Sequence, residues 1–269
     1  MTEGEQCINS SSMAEPLIPF GRTQVTSEEL RKHVDEKAAV DVLQEISVPA
    51  APVKVDRFLT SLPTLIGWLE THGREYPWRY TTDPWRIYAS EILLQRTRGD
   101  AVEGIYEEFF STFPRPRAVI QKSEPQLREC VRSLGFVNHR VRSIQEAAKL
   151  CVAEHGGDVP ADLEALQQPW RVGPYTARAC MLFAFQEPLA LVDANTARIT
   201  GRVFDYPLPD QPHKSDTLYR FLDSLVPADG DLARSFNLAL LDLGALRCTH
   251  AQPSCGDCPL NSGCTYAQK

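Results

Sequence analysis

The fold class that this sequence predicts is all-α, and three observations predict it. From Val55 onward apolar residues recur at helical spacing, and almost no stretch alternates with the period of two that a half-buried strand requires. Prolines and glycines cut the chain into short segments, at Pro77, Pro84, Pro114, Pro116, Gly135, Gly156–Gly157, Pro160, Gly173 and Pro188. An apolar content of 43% over 269 residues is enough to bury a sizeable core around such helices.

Taken in order, residues 1–25 are polar, with Ser10 to Ser12 in a row, and read as a flexible tail. Thr26 and Glu29 have capping-box spacing, and Leu30, Val34, Ala38 and Val42 follow at intervals of four, which predicts one amphipathic helix over 27–44. Pro49, Pro52 and Val53 read as a linker. Helices are then expected over 56–73, 84–97, 99–112, 124–133, 138–155, 161–167, 174–185, 193–204, 214–226 and 231–246.

Composition excludes some functions. No run of 18 apolar residues occurs, so no membrane-spanning helix is expected. Met1 to Phe20 lacks a basic and then apolar leader and carries Glu3, Glu5 and Glu15, so no secretory or transit segment is expected. The net charge is −7, divided as −4 over residues 1–55 (nine acidic, five basic) and −3 over the rest. A nucleic-acid partner would therefore need a locally basic face. Cys7, Cys130, Cys151 and Cys180 form no disulfide-like framework, which suggests a reducing compartment.

The remaining four cysteines do form a pattern. Cys248, Cys255, Cys258 and Cys264 are spaced C-x6-C-x2-C-x5-C, so one small loop can bring four sulfurs to a common centre. Zinc on four thiolates and an iron–sulfur cluster both use this donor set. Upstream, Trp170-Arg171-Val172-Gly173-Pro174-Tyr175-Thr176-Ala177 places a turn, a Gly and a first-turn Pro before an apolar helix. A helix–hairpin–helix of this kind points free backbone N–H groups at one spot, suited to a phosphate; an ordinary helix–helix turn uses the same residues. Asp193, between an apolar run and a helix start, has the place of an N-cap, and can also serve chemistry if it faces a pocket. Glu91 stands one turn from Ile87 in an apolar helix. If buried there, it would hold its proton to higher pH and could donate it.

In combination these segments resemble the endonuclease III superfamily of DNA glycosylases. Tyr76-Pro77-Trp78-Arg79, Asp83-Pro84-Trp85 and Glu91-Ile92-Leu93-Leu94-Gln95-Arg96-Thr97 look like the start of a MutY-type or Mig-type enzyme. Ser133-Leu134-Gly135-Phe136 through Arg140, Tyr175-Thr176-Ala177, Val192-Asp193-Ala194-Asn195 and the four cysteines continue in the family order, from about Val55 to Tyr266. The resemblance implies a two-lobed helical glycosylase fold. Residues 85–190 would form a six-helix barrel lobe with the helix–hairpin–helix. Residues 56–84 together with 191–269 would form a lobe carrying a [4Fe–4S] cluster, rather than zinc, on Cys248, Cys255, Cys258 and Cys264. Residues 1–55 would be an extension outside it.

The details imply more. Bifunctional members carry a Lys where this chain has Tyr175, MutY-type adenine glycosylases usually a Ser, and Mig-type thymine-DNA mismatch glycosylases a Tyr; Mig is the nearest resemblance. It implies a monofunctional glycosylase, without strong strand-cleaving lyase activity, that removes thymine or uracil opposite guanine in double-stranded DNA during base excision repair. Asp193, Glu91 and Tyr175 would be catalytic. Gln95, Arg96, Phe136, Arg171, Val172, Gly173 and Asn195 would touch DNA or order the pocket, with Arg247 and His250 near the cysteine loop as further phosphate contacts. Family hairpins usually read Leu-Pro-Gly-Val-Gly, whereas Arg171 stands here in place of the first Gly. A monomer in a prokaryotic cytoplasm, working at the nucleoid, is expected. The alternatives are an adenine glycosylase acting on A:G or A:8-oxoguanine, and a catalytically silent damage-binding protein.

Overall fold

The computed structural model describes residues 19–269, so the expected flexible tail over 1–18 lies outside the described residues. Among those described there are α-helices and short 3-10 turns but no strand, in agreement with the predicted all-α class. Among the described residues no helix is long and apolar enough to cross a membrane.

The first helices are α1 (Ser27–Arg31), α2 (Glu36–Glu45) and α3 (Ala51–His72). The single helix expected over 27–44 is thus two. Thr26 caps α1 by accepting from the Glu29 amide at 3.2 Å, and Asp35 starts α2 by accepting from Ala38 N at 2.9 Å. The turn between them is bolted to the far end of the chain, with Asp35 N donating to Ser224 O and Ala228 N to His33 O. Leu30, Ala39 and Leu43 are fully buried, so residues 19–55 are part of the body rather than a loose extension. The linker expected at 49–53 is the first turn of α3. Pro52 fits there because a first-turn proline loses no intrahelical bond. Pro63 does lose one, but the buried stripe Phe58, Leu59, Leu62, Leu65, Ile66 and Leu69 carries the helix across it.

There follow α4 (Pro84–Leu94), α5 (Gly99–Thr112), α6 (Pro116–Gln121), α7 (Glu124–Cys130) and α8 (Val137–Glu154). Sequence reading missed α6, a six-residue helix hidden behind the breaks at Pro114 and Pro116. It also carried α4 three residues too far. The chain leaves the helix at Gln95 and turns at Arg96, which has φ +57°. The buried Arg140 guanidinium donates to the carbonyls of Leu93, Gln95 and Leu134 and so satisfies the end of α4. The last helices are α9 (Leu163–Gln167), α10 (Pro174–Phe185), α11 (Ala194–Phe204), α12 (Asp216–Leu225) and α13 (Gly230–Leu246).

Two apolar clusters organise these helices. One joins α1–α3 to α11–α13 around Phe58, Phe204, Phe221 and Phe236. The other joins α4–α8 around Trp85, Tyr88, Phe109 and Ile144. Helix α10 serves both, giving Leu182 and Phe183 to the first cluster and Ala177 and Cys180 to the second. It packs along α4, so the seam between the clusters runs beside Glu91 and Tyr175.

Candidate active site

Glu91 is fixed by its helix. Asp83 caps α4 by accepting from Arg86 N at 2.8 Å, Trp85 Nε1 donates to Phe113 O at 3.0 Å, and the Tyr88 hydroxyl donates to Leu166 O at 2.6 Å. With both rings tied down, the helix cannot roll, and Glu91 is held inward with 6% of its surface exposed. Burial pushes its carboxyl up to about 7, against the opposing charge of Arg79. Arg79 is buried as well, and its Nη1 and Nη2 each donate to the Asp242 carboxylate at 2.8 Å. Arg74 adds a third bond, from Nε to Asp242 Oδ1 at 2.7 Å. Burial alone would raise the Asp242 carboxyl, but Arg79 and then Arg74 outweigh it and hold it below the usual range.

Asp193 is positioned by a cap. Its Oδ1 accepts from the backbone N–H groups of Asn195 and Thr196, both at 2.8 Å, and its Oδ2 accepts from Asn195 Nδ2 at 3.0 Å. Asp193 N returns a bond to Thr196 Oγ1 at 2.9 Å, which completes a capping box. Asp193 is therefore an N-cap whose residue also lines a cavity. Asn195 is ordered in turn by Arg198 Nη2, 2.8 Å from its Oδ1. Tyr175, half-buried at the start of α10, has its phenol held well above the usual range by burial and by the nearby Glu91 and Asp193, so it stays a neutral donor. Glu91, Tyr175, Asp193 and Asn195 line one cavity of about 370 Å³, whose other walls include Arg74, Arg79 and Arg234. That volume lies within the usual range for small-ligand sites, roughly 300–1,000 Å³.

A second hollow of about 380 Å³ adjoins the first and shares Gln95, Arg96, Tyr175 and Thr176 with it. Phe136, Arg171 and Gly173 complete it, together with His139 and His213. Phe136 is no core aromatic: it is 54% exposed, at φ +48°, with the Arg96 guanidinium 5.2 Å from its ring centre. Arg171 adopts a left-handed backbone, with φ +60°, in the region that favours glycine. Such a conformation costs a non-glycine residue roughly 1–3 kcal/mol. Its carbonyl accepts from Gln95 Nε2 at 3.2 Å, which ties the hairpin to the end of α4. Nothing stands within 4 Å of where a Gly173 Cβ would be, so that backbone is open to a ligand. Val172 departs from the expected DNA-facing set. Its side chain is buried and its N–H donates to Pro169 O at 3.0 Å, so it anchors the turn from within. Trp170 is half-buried, with Arg142 at 4.5 Å and Arg171 at 5.2 Å from its ring centre.

The four C-terminal cysteines line one small apolar cavity with Arg202, Arg247 and Tyr266. Arg202 shapes the loop by donating to Thr249 O at 2.7 Å, His250 O at 2.9 Å and Cys248 Sγ at 3.2 Å. Arg198 donates from Nε to Cys248 O at 2.8 Å, so one side chain touches both the loop and Asn195. Among the described residues no group of three or more His, Cys, Asp or Glu is set at metal-holding geometry. The donor chemistry nevertheless suits an iron–sulfur cluster: four soft sulfur ligands in a shared apolar setting, beside a guanidinium that donates to sulfur. Of the two loop residues expected at DNA, His250 is exposed and Arg247 half-buried.

Sequence reading missed Arg74, Arg234, Arg140, Arg198, His139 and His213 as builders of this region. A single Arg in an apolar helix, as Arg234 is in α13, was the available signal. Fully buried charges need partners, so such an Arg marks a network.

A hairpin beside a cavity that pairs a buried Glu with an N-cap Asp, on an all-α frame, defines a class of DNA-repair fold. The family model for HhH-GPD superfamily base excision DNA repair proteins matches residues 89–224, and the chain belongs to that superfamily. Within it, the chain is similar to the thymine-DNA glycosylase of Aeropyrum pernix, with 37% identity over 75% of this chain and 92% of that one. It is also similar to the thymine/uracil-DNA glycosylase of Methanothermobacter thermautotrophicus, with 32% identity over 77% and 92%. A solved thermostable thymine-DNA glycosylase superposes with a TM-score of 0.74 at 30% identity, covering 79% of this chain and 97% of that one.

Proposed function

We propose that this chain is a monofunctional DNA glycosylase that hydrolyses the N-glycosidic bond of thymine or uracil mispaired with guanine in double-stranded DNA. The observation that carries the reading is the meeting of Glu91, Tyr175 and Asp193 in one cavity, with a phenol where a strand-cleaving relative has an amine. The similarity to relatives named for thymine and uracil supports the choice of base.

The target nucleotide leaves the stack and enters the cavity, at lower cost because a mismatch stacks and pairs poorly. As the C1′–N1 bond breaks, its electron pair goes to the pyrimidine, and Glu91, titrating near 7, supplies the neutralising proton. Positive charge grows on the sugar, and the Asp193 carboxylate stabilises it while water adds at C1′ and loses a proton, which returns Glu91 to its protonated form through solvent. Asn195 holds that carboxylate in place, and Tyr175 packs against base and sugar. Phe136, Gln95 and Arg96 fill the gap in the duplex. Arg171 and the open backbone at Gly173 receive a phosphate. Cys248, Cys255, Cys258 and Cys264 would hold the [4Fe–4S] cluster, which cross-links the C-terminal loop. The protein works as a monomer on one duplex.

Labelled duplexes with one T:G, U:G, A:G or A:8-oxoguanine pair, with and without alkali afterwards, test the reading. Breaks at T:G and U:G that need alkali are expected. Breaks at adenine would establish the adenine reading instead, and breaks without alkali would refute the role of Tyr175.

A further inference from the structure

The segment Pro19–Thr23 was expected to be part of a loose polar tail, yet it is fastened along the start of α13 and the end of α3. Ser235 Oγ donates to Arg22 O at 2.6 Å, and Thr23 Oγ1 donates to Glu70 Oε1 at 2.5 Å. Gly21 has φ +72°, and a Cβ on it would stand 2.4 Å from Asp231 O, so no other residue passes this point without shifting the backbone. Phe20, only 8% exposed, lays its ring where a Gly73 side chain would be; a Cβ there would stand 2.6 Å from Phe20 Cζ.

The ring also meets the catalytic cavity from behind. The Arg79 guanidinium lies 5.9 Å from its centre, at the outer edge of a cation–π contact. Arg234 joins the two a second time, donating from Nε to Pro19 O at 3.1 Å and from Nη2 to Arg79 O at 2.7 Å. Arg234 and Phe183 are a common wall: they line the catalytic cavity on one side and, on the other, a larger hollow bordered by Phe20 to Gln24. Arg79 is thus held by Asp242 and, through Phe20 and Arg234, touched by the segment that precedes α1.

We propose that Pro19–Thr23 is a positioning strap for the active-site arginine pair, with Phe20 setting the place of the Arg79 guanidinium opposite Glu91. The strap touches no substrate and acts through Arg79 and Arg234. The proposal rests on the catalytic reading of the Glu91 cavity, and its test separates the two.

Three single variants of the full-length protein suffice: Phe20→Leu, which keeps apolar volume without a ring; Gly21→Ala, which lifts the strap from Asp231; and Gly73→Ala, which displaces the ring from the other side. Each is expected to slow single-turnover base release by about 10-fold, within the range by which small misplacements impair catalysis. The dissociation constant for a T:G duplex should stay within about 2-fold, since no DNA-facing residue is touched. In parallel, hydrogen exchange of the Arg79 guanidinium, followed by NMR on 15N-arginine protein, should quicken by about 10-fold in all three as that group loses its grip. Variants that only lower the melting temperature, with wild-type rates and guanidinium exchange at temperatures where they are folded, would overturn the proposal. A wild-type protein that releases no base from any duplex would defeat the catalytic reading, while the exchange measurement would still judge the strap.

Discussion

Glu91 lies on a central helix with Tyr88, Ile92 and Leu93 buried around it, whereas Asp193 stands at the N-terminus of α11 with three donors converging on its oxygens. Both line the same cavity. Burial is the larger influence on Glu91 and raises its carboxyl to about 7, with Arg79 too weak to reverse it. Asp193 instead accepts from the backbone N–H groups of Asn195 and Thr196 and from the Asn195 amide. One apolar wall and one polar wall thus give two chemically similar side chains different surroundings, and the proposed mechanism assigns them opposite tasks, a proton donor and a charge stabiliser.

Variants can break or sharpen this contrast. The largest effect is expected from Asp193→Asn, which should slow single-turnover base release on the order of 10³-fold. Asn is as good an N-cap as Asp, so stability should change by no more than about 1 kcal/mol in urea unfolding. A parallel loss of stability and activity would mean that Asp193 serves the helix alone.

Glu91→Gln should cost roughly 10²-fold in rate, as expected for a general acid, and should stabilise the protein at alkaline pH. The sign follows from linkage. The Glu91 carboxyl rises from 4.5 to about 7 on folding, so its contribution is fully present below pH 4.5 and is lost as pH climbs through 7. At pH 8 the variant avoids an ionised buried carboxylate, a gain of at most about 3 kcal/mol, and at pH 4 the two proteins should unfold alike. Thermal unfolding at both pH values checks this.

Phe136→Ala leaves both carboxylates in place and removes the ring proposed to fill the gap in the duplex. A roughly 10-fold slower release from T:G, with a smaller effect on a single-stranded substrate, is expected if unstacking is what the ring supports. The smallest effect is reserved for Arg171→Gly. It should relieve backbone strain at φ +60° and stabilise the protein by about 1 kcal/mol. It should also weaken DNA binding modestly and flatten its salt dependence by about one counterion.

The contrast between the walls was partly legible in the sequence. Glu91 one turn from Ile87 in an apolar helix already suggested burial, and Asp193 before a helix already suggested a cap. The hairpin was legible because its Gly and Pro leave few alternatives for the backbone. The arginines behind the site were less so: Arg234, the one Arg in the apolar α13, carried a signal, whereas Arg79 looks in sequence like any charged residue between apolar neighbours. Arg79 is paired with Asp242, 163 positions away, and Arg234 donates to the carbonyls of Pro19 and Arg79, so neither pairing has a local signature. The segment Pro19–Thr23 was hidden for a different reason. It is held in large part by its own backbone carbonyls, which have no signature in sequence, and it follows a polar run that reads as a tail. Pro52 misled in turn, because a proline marks a helix start as readily as a linker. Arg171, which stands where family hairpins have a glycine, adopts a left-handed backbone that its side chain gives no reason to expect.

The most direct measurement is the pH profile of single-turnover base release from a U:G duplex by the wild-type protein between pH 5 and 9. A rate that falls tenfold per pH unit above about 7 is expected, because the proton that Glu91 supplies is lost there. A rate that stays level through pH 9 would contradict the assignment of Glu91 as the acid and, with it, the division of labour between the two walls.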